Sequence, residues 1–166
     1  MRVLGVDPGT IKMGLGVVDS ISGDLMSPYH GLITPRRKNP LEHRLAHIFE
    51  ATKKVIEETQ PDAIAVEEPF VSKNPKTAIA IGQAQAVVFI AAAQRNIPVF
   101  RYAPQAVKKS VTNYGGSSKE QVGEMVSLLL GGRDIKGPDD VTDALAVAIC
   151  HINSHMLDDL IGSSTW

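Results

Sequence analysis

Short blocks of apolar residues alternate with polar punctuation along the first third of the chain. Three such blocks, at residues 2–7, 13–20 and 25–34, predict three strands. The links between them are short, so we expect antiparallel neighbours. Asp7, Pro8 and Gly9 close the first block and predict a turn, because proline fixes φ and glycine accepts positive φ. The first predicted strand therefore ends on a carboxylate.

The apolar residues change to helical spacing after the basic residues at 36–38. Apolar side chains at 45, 48, 49, 55 and 56 predict a helix, which Pro61 ends. Residues 63–68 form an apolar run typical of a buried parallel strand, followed by a helix over about 76–95 and a strand at 99–103. This is a crossover pattern. It predicts an α/β protein with a five-stranded mixed sheet flanked by helices.

The rest of the chain is predicted to be helical. Pro104 opens a helix that runs to about residue 113, where a glycine pair breaks the pattern. Ser117 and Ser118 are each followed three residues later by Glu or Gln, which is a capping-box pattern for the next helix. Pro138 starts a last helix that reaches about residue 155. We expect residues 1–158 to form one domain and residues 159–166 to form a flexible tail.

Composition narrows the class of protein. Hydrophobic residues make up 43% and charged residues 21% of the 166 residues, a globular balance. The single cysteine, Cys150, excludes an internal disulfide and predicts a reducing compartment, the cytoplasm. The N-terminus lacks a signal-peptide pattern. The apolar stretch at 78–93 is interrupted by Gln83 and Gln85, and we expect it to fall short of a membrane span.

Charge is unevenly distributed along the chain. The formal net charge is −1, so affinity for a polyanion would need a local patch. Such a patch lies between residues 101 and 119, where four basic residues occur with no Asp or Glu between them: Arg101, Lys108, Lys109 and Lys119.

Carboxylates are predicted to converge at one edge of the sheet. Asp7 ends the first strand, and Glu67 and Glu68 end the fourth. Ligands of open α/β sheets bind at the carboxyl ends of the strands. Asp140 and Asp143 are three residues apart at the start of the last helix, so both lie on one face of its first turn. Oxygen ligands of this kind suit Mg²⁺ or Mn²⁺, and two such ions can clamp a phosphodiester during hydrolysis.

Each acid also has an ordinary structural interpretation. Asp7 before Pro-Gly is a common turn former, Asp140 and Asp143 suit a helix N-terminus, and strand-end glutamates are often solvated. Side chains alternate along a strand, so only one of Glu67 and Glu68 can join the cluster, and spacing does not choose between them.

The lysines and histidines have alternatives of the same kind. Lys119 lies at the first turn of a helix, where free N–H groups favour a phosphate. Lys108 and Lys109 could equally be solvated charges. His43 with His47 is spaced like a metal pair but lacks the rest of such a motif. His151 shares a helical stripe with Asp143 and could tune the site.

Several separated segments together resemble the RuvC family of Holliday junction resolvases. They are GVDPGT at 5–10, AVEEPF at 65–70, KNPKTAIAIGQAQ at 73–85, YAPQAVKKSV at 102–111, SSKEQV at 117–122 and DVTDALAVAICH at 140–151. The resemblance implies a ribonuclease H-like fold for the single domain at 1–158. It also implies metal ligation by four acids: Asp7, Glu67, Asp140 and Asp143. It thereby selects Glu67 over Glu68, although family members often have Gln at 68 and another residue at Pro69.

The resemblance further implies an activity and partners. The expected reaction is Mg²⁺-dependent hydrolysis of four-way DNA junctions by paired symmetric nicks, with Mn²⁺ as a substitute, two ions per site, and 5′-phosphate and 3′-hydroxyl products. Lys108 and Lys119 match lysines used near the scissile phosphate, with Lys109 beside them, and Lys119 is expected to stabilise developing charge. Phe70 is expected to meet unstacked bases, rather than to cap the core.

A junction resolvase is expected to act as a two-fold dimer, because the four-way junction is pseudo-symmetric. The helix at 76–95, with Gly82 and Ala86 one turn apart, is the candidate interface, although burial within the monomer explains its composition as well. The branch-migration proteins RuvA and RuvB are further candidate partners. Two rival functions are an actin-like phosphotransferase, because VDPGT resembles a phosphate loop, and an inactive junction-binding protein.

Overall fold

The computed structural model describes residues 1–69, 75–132, 135 and 137–162, with side chains described as far as residue 156. It contains one five-stranded sheet in the order β3-β2-β1-β4-β5, in which β1 to β3 are antiparallel and β1, β4 and β5 are parallel. The strands are β1 Arg2–Asp7, β2 Met13–Ile21, β3 Asp24–Ile33, β4 Ala63–Glu67 and β5 Val99–Tyr102. The helices are α1 Leu41–Thr59, α2 Pro75–Ala93, α3 Pro104–Thr112, α4 Lys119–Leu129 and α5 Asp139–Gly162. The predicted α/β fold with a mixed sheet is confirmed.

The strands that carry the site lie at the centre of the sheet. β1 pairs with β2 on one side and β4 on the other, and its residues 3–6 are fully buried. A run of apolar residues buried on both faces is what a central strand requires. β3 lies at an edge, and its side chains mostly alternate between exposed and half-buried. Ser22 and Gly23 both have positive φ, 53° and 94°, as a two-residue hairpin turn between β2 and β3 demands.

Helices cover both faces of the sheet and form two cores. α3, α4 and α5 pack on one face, and the core there includes Val3, Val107, Val122 and Leu145. α1 and α2 pack on the other face, where Leu4 belongs to the core. Successive β1 residues thus point into opposite layers.

Helix α5 lies so close to the sheet that its backbone contacts the backbone of the strands at Gly5 and Gly14. A Cβ placed on Gly5 would stand 1.9 Å from the carbonyl oxygen of Ala144, and one on Gly14 would stand 1.8 Å from that of Asp140. No L-residue with a side chain fits at such a distance. The glycines of β1 and β2 therefore set the height of α5 above the strands, and with it the position of the first turn of α5.

The helix boundaries refine the predictions. Of the two capping-box patterns, Ser118 with Gln121 is the one formed: the Ser118 hydroxyl accepts from the Gln121 N–H, and the Gln121 side chain accepts from the Ser118 N–H. α5 continues to Gly162, beyond the predicted end near His155. Residues 163–166 lie outside the described range, and the predicted tail at 159–166 stays a prediction.

Helix α2, Pro75–Ala93, lies close to its predicted bounds of about 76–95, but it passes a length and composition test that the sequence analysis expected it to fail. By length and composition it is the one helix in the described part of the chain that could cross a membrane. It packs on α1, and one side of it, including Ala84, Val88 and Ala92, is buried in the core that it shares with β1. Its other side leaves Ile79 and Ile90 63% and 54% exposed.

Candidate active site

Asp7 and Glu67 meet because they end neighbouring parallel strands. Val6 is the register partner of Val66, so the next residues, Asp7 and Glu67, lie side by side at the same edge. Asp143, one turn into α5, completes a cavity of about 280 Å³ with them. Lys108 and Lys119 line the same cavity. Three of the four predicted acids and two predicted lysines are thus brought together.

Asp140 lies on the other side of Asp7. It lines a second cavity of about 470 Å³, which Asp7 shares. Asp140 still interacts electrostatically with Asp7 and is one of the charges that raise its pKa. Asp7 is therefore the central acid, with Glu67 and Asp143 on one side and Asp140 on the other.

The proton affinities of these acids are perturbed. Burial raises the pKa of Asp7 from 3.8 to about 8, with further contributions from Glu67, Asp143 and Asp140. Burial and the Asp143 charge raise the pKa of Glu67 from 4.5 to about 7. Burial also raises the pKa of Asp143, against the opposing effect of Lys119. A group of acids that cannot easily ionise together is one that a cation would stabilise.

Lys119 already pairs with one of these acids. Its Nζ donates to Oδ2 of Asp143 at 3.1 Å, and the Asp143 carboxylate raises the pKa of the lysine. Lys108 Nζ donates to the carbonyl oxygen of Ser117 at 2.8 Å, so it joins α3 to the loop before α4. Lys109 faces elsewhere: it lines a separate cavity of about 650 Å³ with Tyr102 and Cys150. The structure therefore does not bring Lys109 to the carboxylates.

Glu67 and Glu68 have different surroundings. Glu67 lines the cavity with Asp7 and Asp143, whereas Glu68 is 44% exposed and approaches Arg101, at 3.8 Å. The end of β4 is fixed by the buried Gln85 of α2, whose Nε2 donates to the Glu67 carbonyl oxygen at 2.7 Å. Sequence reasoning treated Gln85 only as an interruption of an apolar helix. The available signal was that two amides, Gln83 and Gln85, interrupt an apolar run, because an amide buried in such a run needs a hydrogen-bond partner.

Arg44 is a second residue that sequence reasoning missed. From α1, its Nη1 donates to the carbonyl oxygen of Thr10 at 3.2 Å and lies 3.4 Å from the Thr10 hydroxyl. Thr10 belongs to the loop that follows Asp7 and is buried. Arg44 thus ties α1 to the loop that leaves the acid centre.

The carboxylates around Asp7 suit a hard divalent cation, although Lys119 forms an ion pair with one of them, Asp143. Within the described ranges, no group of three or more His, Cys, Asp or Glu side chains stands close enough to hold a metal ion. The Asp143 carboxylate is instead held by the ammonium of Lys119. The cluster offers only carboxylate oxygens, partly removed from water and mutually repelling. That is the chemistry of Mg²⁺ and Mn²⁺ sites rather than of zinc sites.

Phe70 and His151 are the remaining predicted residues. Phe70 lies outside the described residues. His151 is 3% exposed, packs against Phe100, and its Nδ1 is 2.7 Å from the Tyr102 hydroxyl. It does not line the cavities that Asp7 shares.

A five-stranded sheet of this order, with acids at the ends of two central parallel strands and on the helix that covers them, is the architecture of ribonuclease H-like nucleases. The model of one such family, described as crossover junction endodeoxyribonuclease RuvC, matches residues 3–151. The chain belongs to the RuvC family of crossover junction endodeoxyribonucleases, which are metal-dependent nucleases. The family resemblance read from the sequence is confirmed, and the rival phosphotransferase class is set aside.

Relatives match along nearly the whole chain. A crossover junction endodeoxyribonuclease RuvC of Dehalococcoides mccartyi is 45% identical over 161 residues, which cover 97% of this chain and 96% of that protein. One from Thermotoga maritima is 44% identical over 151 residues, which cover 91% and 90%. The structure of Thermus thermophilus RuvC in complex with a Holliday junction substrate is similar, with a TM-score of 0.89 at 31% identity, and the match covers 95% of this chain and 96% of that one.

Proposed function

We propose that this protein resolves four-way DNA junctions by metal-dependent phosphodiester hydrolysis, in the recombination and repair of DNA in the cytoplasm. The observation that carries the proposal is the central place of Asp7, flanked by Glu67 and Asp143 in one cavity and by Asp140 in the next. The Thermus thermophilus relative was solved with a Holliday junction. Its similarity over 95% of this chain supports the same substrate here.

Asp7, Glu67, Asp140 and Asp143 would hold the metal. We propose two Mg²⁺ ions, for which Mn²⁺ substitutes, because acids on both sides of Asp7 provide for two positions. When bound, such ions activate water and stabilise charge on the phosphate oxygens. The side chains themselves fix the ligand oxygens at the edge of the sheet. Cleavage is proposed to leave a 5′-phosphate and a 3′-hydroxyl.

Lysines at the rim of the cleft are proposed to bind the DNA. Lys119 and Lys108 line the cavity of Asp7, where an ammonium group attracts a phosphate and Lys119 stabilises charge as it develops. Lys109, which faces away from the carboxylates, is proposed to contact DNA outside the cleaved linkage. Phe70 is proposed to stack on unpaired bases near the junction centre.

A homodimer is proposed through the exposed side of α2. Ile79 and Ile90 are more than half exposed on a helix with few polar residues, and burying them against a second copy would remove apolar surface from water. A two-fold dimer presents two acid centres to a junction that is itself pseudo-symmetric. RuvA and RuvB are proposed as the branch-migration partners that supply such junctions.

Incubation with a synthetic four-way junction and Mg²⁺ tests the activity. We expect paired nicks at symmetric positions, no cleavage in EDTA, and products that DNA ligase can reseal, as 5′-phosphate and 3′-hydroxyl ends require. Asp7→Asn should bind the junction without cutting it, because the lysines are unchanged. A purified wild-type protein that leaves the junction intact, or cuts one strand at unrelated positions, would show the proposal to be wrong.

A further inference from the structure

The cavity that Asp7 shares with Asp140 contains two lysines to which the function described above gives no role, Lys12 and Lys76. It measures about 470 Å³ and is formed by the β1–β2 loop, the first two turns of α2 and the start of α5. Asp7 and Asp140 are half-buried in it, whereas Lys12 and Lys76, which also line it, are exposed. The cavity therefore combines acids of the metal centre with two lysines that come from separate segments.

Lysines consequently stand on both sides of the acid centre. Lys108 of α3 and Lys119 of α4 line the first cavity, and Lys12 and Lys76 line the second, with Asp7 common to both. These four lysines belong to four different segments of the chain. The protein as a whole has a net charge of −1, so a generally basic surface does not account for the arrangement. Positive charge on two sides of a carboxylate centre suits a polyanion that lies across it.

The loop that carries Lys12 is held in place. A Cβ on Gly9 would stand 2.1 Å from the Lys12 carbonyl oxygen, so the turn closes on itself at that point. Arg44 holds the adjacent Thr10 from α1. A fixed backbone reduces the entropy lost when Lys12 binds a ligand.

We propose that Lys12 and Lys76 bind backbone phosphates of the cleaved DNA strand on the side of the scissile phosphate opposite to that contacted by Lys108 and Lys119. The inference rests on the proposed function, because it takes Asp7 as the point of cleavage. Lysine acts here as a point charge, so the contact is independent of base sequence. The ligand is a phosphodiester that leaves the metal centre over the first turn of α2.

Junction binding as a function of salt tests the charge contacts. The variant is Lys12→Gln/Lys76→Gln, and the control is Lys54→Gln on α1, where Lys54 is 73% exposed and pairs with Glu58. Fluorescence anisotropy without added metal gives the affinity from about 50 to about 200 mM salt. We expect the slope of log affinity against log salt to weaken by about one for each lost phosphate contact. The ratio of the wild-type affinity to the double-variant affinity should then fall roughly tenfold over this range of salt.

A second measurement identifies the side of the cut. The substrates are junctions in which one phosphate is replaced by a neutral methylphosphonate linkage, at successive positions on either side of the cleavage site. Each junction is cut with Mg²⁺ under single-turnover conditions. Wild type should lose rate for neutral linkages on both sides. The cleavage rate of the double variant should be insensitive to neutral linkages on one side only. The cleavage rate of Lys108→Gln should be insensitive to those on the other side.

Each outcome decides the question. A salt slope equal to that of wild type or Lys54→Gln overturns the proposal, as does an unchanged methylphosphonate profile or one altered on the Lys108 side. Thermal unfolding of each variant checks that the fold is intact. Cleavage of the unmodified junction by wild type distinguishes the proposed function from this inference. If wild type does not cut the junction, the proposed function is wrong. If wild type cuts normally and the double variant behaves like wild type, only this inference is wrong.

Discussion

The burial of Asp7 predicts that the metal-free protein is destabilised by its own active site. Asp7→Asn replaces the carboxylate by a neutral group of nearly the same shape. The folded state raises the pKa of Asp7 from 3.8 to about 8, so at neutral pH folding must either keep a proton on this group or bury its charge. Asparagine removes that cost.

The size of the effect follows from the pKa. One pH unit corresponds to about 1.4 kcal/mol, so a carboxyl that ionises near pH 4 unfolded and near pH 8 folded costs at most ~4 kcal/mol at pH 7. Relaxation of the cleft and entry of water reduce this, and we expect Asp7→Asn to raise the free energy of unfolding by about 2–4 kcal/mol.

The sign of the pH dependence is fixed by the same reasoning. Between about pH 4 and pH 8 the folded protein holds a proton that the unfolded chain has lost, so stability falls as pH rises. Glu67, whose pKa is raised to about 7, adds to this slope up to that pH. Below pH 4 both states are protonated and the cost vanishes.

Urea unfolding in EDTA across this pH range measures the effect, with Asp24→Asn, an exposed carboxylate after the β2–β3 turn, as the control. Asp7→Asn should be more stable and less pH-dependent than wild type. Saturating Mg²⁺ should stabilise wild type more than the variant, because the variant lacks a ligand charge. A variant that is less stable than wild type at pH 7 in EDTA, or that keeps the full pH slope, would refute the reasoning.

Two further predictions concern the placement of the acids. Glu67→Gln should abolish junction cleavage while Glu68→Gln keeps most of it; an equal loss in both would mean that Glu68 is also needed. Gly14→Ala should lower the free energy of unfolding by more than about 2 kcal/mol, because its Cβ would displace the Asp140 carbonyl. The molecules that remain folded should also cleave the junction more slowly. Gly123→Ala on α4, whose Cβ would meet only Thr142 Cγ2 at 3.7 Å, is the matched control, and a loss of similar size there would contradict the argument.

Periodicity predicted much of the fold because its elements are locally encoded. The continuous apolar run of β4, the alternation of β3 and the Pro104 and Ser118 helix starts each depend on neighbouring residues only. The end of α5 was predicted too early, at His155, because the chain beyond it lacks a clear amphipathic pattern.

The candidate site was predictable in its membership more than in its arrangement. Alternation shows that Glu67 and Glu68 face opposite sides, but the register of β4 on β1 decides which of them lies beside Asp7. Charge and spacing do not separate Lys108 from Lys109, and the packing of α3 turns Lys108 towards the acids. Long-range register and helix rotation are tertiary properties, which local patterns do not encode.

The glycine contacts beneath α5 have a consequence for protein engineering. Gly5 and Gly14 contact the backbone of α5, so no side chain can be introduced at either position without moving the proposed metal ligands on that helix. The layer of α1 and α2 rests on the sheet through side chains such as Val55 and Val88, which can exchange volume with their neighbours. A library of random variants should therefore retain nuclease activity with many replacements among the buried apolar side chains between the sheet and the helices α1 and α2, and with few at Gly5 and Gly14. A designer who wishes to tune stability without disturbing cleavage would begin with those apolar side chains.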